Sequence, residues 1–183
     1  MTVDSASQTT LRSHLAGSLR PEHAGQQVAL AGWVHRTRNL GGIVFLDLRD
    51  RAGIVQVSFD PKWTPATEIE KAAALGQESV VLIKGEAALR PPEMRNANLD
   101  TGDVEVHAVS LELVGPAETP AIPVARGKGE NLAAEDLRLR HRYLDLRRPE
   151  LQDNLVLRHR LAQTTRRYLD EHGFLEIETP ILT

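Results

Sequence analysis

The sequence predicts a mainly β chain with added helices: a closed five-stranded Greek-key barrel, then a linker, then a helix leading into a short strand. Three observations carry that prediction. Residues 28–59 (VALAGWVHRTRNLGGIVFLDLRDRAGIVQVSF) form three β-branched and apolar runs, split by turn signals at Gly41-Gly42 and Arg51-Ala52-Gly53. A helix-forming stretch and two further alternating runs follow, and three strands, a helix and two strands is the element order of the OB barrel. From Gly115 onward the composition shifts to proline and glycine, then to arginine and leucine at helical spacing.

Taken in order, Met1–Thr10 is polar and reads as a disordered tail. Leu11, Leu15 and Leu19 recur every four residues, which suggests one or two helical turns before the first strand. In the second strand Val44, Leu46 and Leu48 share one face, and Phe45, Asp47 and Arg49 the other. In the third, Val55, Val57 and Phe59 oppose Gln56 and Ser58. Ala66–Leu75 has strong helix formers, with Gly76 as the expected C-cap. Ser79–Leu89 is a strand with a bend at Gly85. Gly102–Leu113 is the last, with Val104, Val106, Ala108 and Ser110 alternating against Glu105, His107 and Val109. The barrel thus occupies residues 11–114 and a hinge residues 115–148. Within the hinge, Glu135–Arg148 reads as one helix carrying Leu137, Tyr143 and Leu144 among five arginines. Residues 149–183 hold a helix opened by Pro149 and stopped by Gly173, then a strand over Phe174–Ile177.

Composition narrows the function. The 183 residues carry a net charge of −3 with 26% charged residues, against a purely electrostatic nucleic-acid binder. Basic residues are nonetheless concentrated: residues 126–167 hold 11 Lys and Arg against 6 Asp and Glu. The absence of cysteine points to a reducing compartment, and the seven histidines lack ligand spacing, so no metal site is expected. No apolar run has membrane-spanning length, and the N-terminus lacks a signal peptide's apolar core, so a cytoplasmic location without membrane partners is expected.

The outer barrel face is the candidate site. Phe45 near Gln56, with Arg36 and Arg38 at the end of the first strand, is a ring flanked by amide and guanidinium groups, a surface suited to stacking on a base and reading its edge. The alternative is that Phe45 is a core residue; Asp47 and Arg49 beside it argue against burial of that face. The loop RPPEMRNANLDT, between the last two strands, borders the oligonucleotide site in OB barrels. There Arg90, Asn96, Asn98 and Glu105 can offer donors and an acceptor, or the asparagines can serve turn geometry. The arginine-rich helix could rest on phosphates or be a solvated face.

The blocks GWVHRTRNLGGIVFLDLRDRAGIVQV, TGDVEV, RHRYLDLRRPE and HGFLEIETPILT, in that order, closely resemble bacterial aspartyl-tRNA synthetases. The resemblance covers nearly the whole chain from about residue 10. It implies an OB anticodon-binding domain, a hinge, and the first helix–strand unit of a class II synthetase catalytic domain. It also implies roles: Phe45 stacking on the central anticodon base, Arg38 and Gln56 in polar contact with the anticodon, Arg90 on the third base, and Glu105 accepting from the first. Met94 stands where some relatives carry asparagine, with Asn96 as the nearby substitute. GFLEIETPIL resembles the family's first signature motif, which builds a homodimer interface, here with Phe174 and Pro180. The family's ATP-gripping arginines and Mg2+-holding carboxylates belong to later motifs without counterpart in these 183 residues. The expected partner is tRNA(Asp), with no DNA; ATP and Mg2+ belong to the parent enzyme and no catalytic residue is expected in this chain. The alternative is a stand-alone, non-catalytic OB-fold RNA-binding protein.

Overall fold

A computed structural model describes residues 11–125 and 131–180 of the 183. The tail expected over residues 1–10 lies outside the described residues. The chain divides into two compact units, Met1–Pro120 and Ala121–Thr183.

The first unit is a closed barrel of β1 (Gln27–Leu40), β2 (Ile43–Asp50), β3 (Gly53–Phe59), β4 (Val80–Leu89) and β5 (Val104–Gly115), in the order β1-β2-β3-β5-β4. Closure depends on the length of β1. Gln27–Trp33 pairs with β4 and Trp33–Leu40 with β2, both antiparallel. Only β3 and β5 run parallel, and briefly. Alternation fills the interior: Val44, Leu46 and Leu48 of β2, Val55, Val57 and Phe59 of β3, and Val104, Val106 and Ala108 of β5 are all fully buried. Helix α1 (Ala66–Ala73) adds buried Ala72, with Ile69 and Leu75 packed against the same core.

Several elements depart from the sequence expectation for identifiable reasons. Ser110 is exposed and Leu111 buried, because β5 skips Val109 in its pairing: Lys84 faces Ser110, but Gly85 faces Ala108. The bend falls at Gly85, where an added Cβ would sit 2.2 Å from the His107 carbonyl oxygen. Gly76 does not cap α1; Ala74 does, with φ −88°, and the left-handed conformation is taken by Glu78 instead (φ 65°). Before β1 there are two 3-10 turns, Ala16–Ser18 and Pro21–His23, rather than α-helix. The first is pinned by Asp50, whose carboxylate accepts from the Ala16 N–H at 2.6 Å and the Ala52 N–H at 2.8 Å.

In the second unit the expected helix over Glu135–Arg148 is two short ones, α2 (Glu135–Arg140) and α3 (Arg142–Asp145), broken at His141 (φ −108°, ψ 42°). The break turns Asp145 inward. It is fully buried and meets Arg148 at 2.7 Å, Arg142 at 2.9 Å and Arg138 at 3.2 Å. Leu144 joins Ile122 and Val124 in a small core, with Leu137 and Ala133 against it, whereas Tyr143 is exposed. Helix α4 (Pro149–Glu171) starts at Pro149, and Gly173 follows it in the left-handed region (φ 80°). The strand expected at Phe174–Ile177 is not formed: a strand needs a ladder partner, and no described residue supplies one.

Candidate nucleic-acid interface

The site is built on the outer wall where β1, β2, β3 and β5 lie side by side. Register alone brings most of it together. Arg38 sits opposite Phe45, Asp47 opposite Gln56, and Phe45 opposite Ser58. Phe45 is therefore diagonal to Gln56 on one face, close enough for an aromatic ring and an amide to share a ligand. Phe45 is half-exposed, while its neighbours Val44 and Leu46 are fully buried.

A chain of polar contacts runs across the wall beside that ring. The Arg38 guanidinium donates to Asp47 Oδ1 at 3.0 Å and to Gln56 Oε1 at 3.5 Å. Gln56 Nε2 donates to Glu105 Oε2 at 3.0 Å, and Glu105 Oε1 meets His107 Nε2 at 3.1 Å. The His107 ring is stacked on Trp63, centroids 3.9 Å apart and planes 15° from parallel. Trp63 is in turn anchored by its Nε1–H on the Ser58 carbonyl at 3.2 Å. Each member fixes the next, so Gln56 and Glu105 present their remaining donor and acceptor positions in a set geometry.

Arg90 lies behind this row and is almost entirely buried, its side chain held by Nε donating to the Val104 carbonyl at 3.0 Å. One terminal nitrogen is buried without a hydrogen-bond partner. Burial pulls its pKa down; the Glu105 and Asp47 carboxylates act in the opposite sense, and Arg38 adds to the lowering. A guanidinium stays charged through such a shift, so an unsatisfied cationic donor stands in the wall next to Glu105.

Asn96 is half-exposed in the loop before β5, and its side-chain oxygen accepts from the Asn98 N–H at 3.0 Å. It is thus occupied in shaping its own loop, the turn role the sequence equally allowed. Phe174 and Pro180 belong to the second unit and are exposed. Of the arginines expected to face phosphate, Arg138 is instead committed to Asp145, and Arg140 is exposed. Sequence reasoning missed Trp63 and His107; no periodicity links a residue beyond the end of β3 to one in the middle of β5. Among the described residues no cluster of His, Asp or Glu could hold a metal ion, and no helix is long and apolar enough to cross a membrane.

Two family models match in sequence order. Residues 28–114 match the OB-fold nucleic acid binding domain, and residues 134–183 match the class II tRNA synthetases (D, K and N). The chain is 47% identical to an aspartate–tRNA(Asp/Asn) ligase of Syntrophotalea carbinolica over 94% of its own length, and 49% identical to one of Salinibacter ruber over 93%. It spans 28% and 27% of those relatives' lengths, respectively. Among solved structures, asparaginyl-tRNA synthetase from Pyrococcus horikoshii superposes with TM-score 0.78 at 30% identity, over 92% of this chain and 38% of that one. Aspartyl-tRNA synthetase from Entamoeba histolytica shares the fold at TM-score 0.79 and 23% identity, over 88% of this chain and 38% of that one. With both models matched in order and nearly half of its residues identical to these ligases over more than nine tenths of its length, the chain belongs to the aspartyl-tRNA synthetase family.

Proposed function

We propose that the outer barrel wall reads the anticodon of tRNA(Asp), as the recognition part of a homodimeric cytoplasmic ligase that activates aspartate with ATP and charges tRNA. The observation that carries this is the half-exposed Phe45 ring beside the Arg38–Gln56–Glu105 hydrogen-bond chain. A ring in that setting stacks on the central base while the polar groups address base edges on either side. Glu105 accepts from the first base, and Gln56 and Arg38 contact the loop. Arg90 is assigned the third base, which its buried terminal nitrogen reaches once the guanidinium turns outward. The named relatives act on both tRNA(Asp) and tRNA(Asn), whose anticodons differ at the third base, so discrimination between the two falls on the Arg90 corner. Asn96 and the loop it shapes flank that corner. In the second unit, the exposed apolar side chains of α4 together with Phe174 and Pro180 form the dimer contact.

Phe45→Ala is the direct test. It is expected to weaken binding of an anticodon stem-loop RNA by about 1–3 kcal/mol at fixed salt, with the melting curve little changed. An unaltered dissociation constant in the folded variant would refute the stacking role. The bond-making chemistry belongs to ATP and Mg2+ held by later motifs of the family, and no step is assigned to residues of this chain. Accordingly, the purified 183-residue chain is expected to give no aspartate-dependent ATP–pyrophosphate exchange; measurable turnover would overturn that division of labour.

A further inference from the structure

We infer that His35, locked by Arg49 and Glu78, is a positioning residue that sets which side of the barrel wall Arg36 and Arg38 occupy. The inference rests on the anticodon reading for its functional consequence, but its structural basis is independent of RNA.

The basis is a change of phase inside β1. Val28, Leu30 and Val34 are even-numbered and buried in the core. By strict alternation Arg36 and Arg38 would follow them inward. They do not, because the β1–β2 ladder pairs Val34 with Leu48 and then Arg36 with Asp47, leaving His35 as an extra, unpaired residue. This one-residue bulge flips everything after it. Arg36 and Arg38 come out opposite Asp47 and Phe45, and Thr37 turns inward opposite Leu46. The inward turn leaves the Thr37 hydroxyl buried without a hydrogen-bond partner, a sign that the flip is imposed against local preference.

What imposes it is a buried polar chain at the bulge. Arg49 Nη1 donates to His35 Nδ1 at 2.9 Å, so the neutral ring carries its proton on Nε2. Arg49 Nη2 donates to Glu78 Oε2 at 2.8 Å, and both of those side chains are nearly fully buried. The Arg49 guanidinium also lies over the Trp33 ring, 6.0 Å from its centroid. Glu78 is held in turn: it takes a left-handed backbone conformation unusual for a non-glycine residue, and its N–H donates to the Val34 carbonyl at 2.8 Å. The Val34 N–H donates to the Ser79 carbonyl at 2.9 Å. The residue before the bulge and the bulge side chain are therefore gripped from β2 on one side and from the segment leading into β4 on the other. Without the bulge the Arg49–His35 bond would be lost, and strict alternation would return Arg36 and Arg38 to the core face.

The lock also predicts a pH signature. Desolvation first, then the Arg49 charge, lower the His35 pKa; Asp47 and Glu78 oppose the shift, and Arg36 reinforces it. The ring is therefore neutral, and the acceptor available, at neutral pH. Protonation below the ordinary histidine range would remove the acceptor and set two cations against each other.

The test compares two variants of the full chain. His35→Asn keeps an acceptor near the Nδ1 position; His35→Phe keeps a ring and loses the acceptor. The cross-strand nuclear Overhauser contacts between Arg38 and Phe45 should persist in wild type and H35N and fade in H35F. Anticodon stem-loop RNA should bind H35F roughly fivefold or more weakly than wild type, with H35N close to wild type. As pH falls below the ordinary histidine range, wild type should lose affinity relative to H35N. H35F with intact Arg38–Phe45 contacts, or H35N as impaired as H35F, overturns the inference. Should H35F fail to fold, wild type and H35N decide, and parallel pH profiles overturn it. Wild type that does not bind the RNA sinks the anticodon reading alone, leaving the cross-strand contacts to judge the lock.

Discussion

Asp145→Ala should destabilise the second unit by about 3 kcal/mol or more, the scale of breaking a buried ion pair by removing one partner. The carboxylate is the hub for three arginines, and Arg148, itself 5% exposed, has its shortest contact there at 2.7 Å. Removing the hub leaves that buried guanidinium, among the described residues, with only the exposed Glu150, at 3.3 Å, and its Nε already lacks a partner. The apolar cluster around it is small, Ile122, Val124 and Leu144, so little else holds α2 and α3 in place. Hydrogen exchange at Leu137–Leu146 should accelerate sharply in the variant, while the barrel stays protected; unchanged protection would show that the arginines do not depend on Asp145. The same hub gives a pH dependence. The Arg138 hydrogen bond, then Arg148, hold the Asp145 carboxyl below its ordinary pKa. A depressed carboxyl stabilises fully above its unfolded pKa of about 3.9 and loses that contribution as pH falls through the lower folded value. Acid should therefore release the second unit below about pH 4, and the Ala variant should lack that transition.

Phe59→Ala is expected to cost about 3–5 kcal/mol of barrel stability, as for other buried aromatic truncations. Phe59 is the largest fully buried side chain among the described residues, and it belongs to the same core cluster as Val44, Leu46, Val57 and Val106. Val44 is its direct ladder partner. The comparison with Phe45→Ala separates the two roles of one residue type. Truncation at 59 should lower the denaturation midpoint with no specific RNA effect once folding is accounted for. Truncation at 45 should do the reverse. Equal stability losses at the two positions would place both rings in the core and undo the site.

Much of this was legible in the residues. Alternation in β2 and β3 assigned Phe45 and Gln56 to the wall and Phe59 to the interior, because side chains on a strand change face at every step. The four sequence blocks pointed to the family from their order alone. Single-strand patterns could not reveal skipped residues. The bulges at His35 and Val109 depend on what the neighbouring strand offers at that height, so the alternation read through Ser110 breaks there and Leu111 joins the core instead. The switch from apolar to basic side chains at one parity, Val34 to Arg36 and Arg38, was the visible trace of the first of these.

The sequence by itself determined the barrel's element order, the inward sets of β2 and β3, and the chemistry available on the outer wall, because those follow from local period and residue type. Tertiary structure alone decided that Arg38, Gln56, Glu105 and His107 form one hydrogen-bonded row. It also decided that Trp63 closes that row, that Arg90 is buried behind it, and that a helix break at His141 turns Asp145 inward to meet three arginines. These are contacts between residues as many as 49 positions apart, and their geometry is set by register and by the low-dielectric interior, neither of which any single segment of chain encodes.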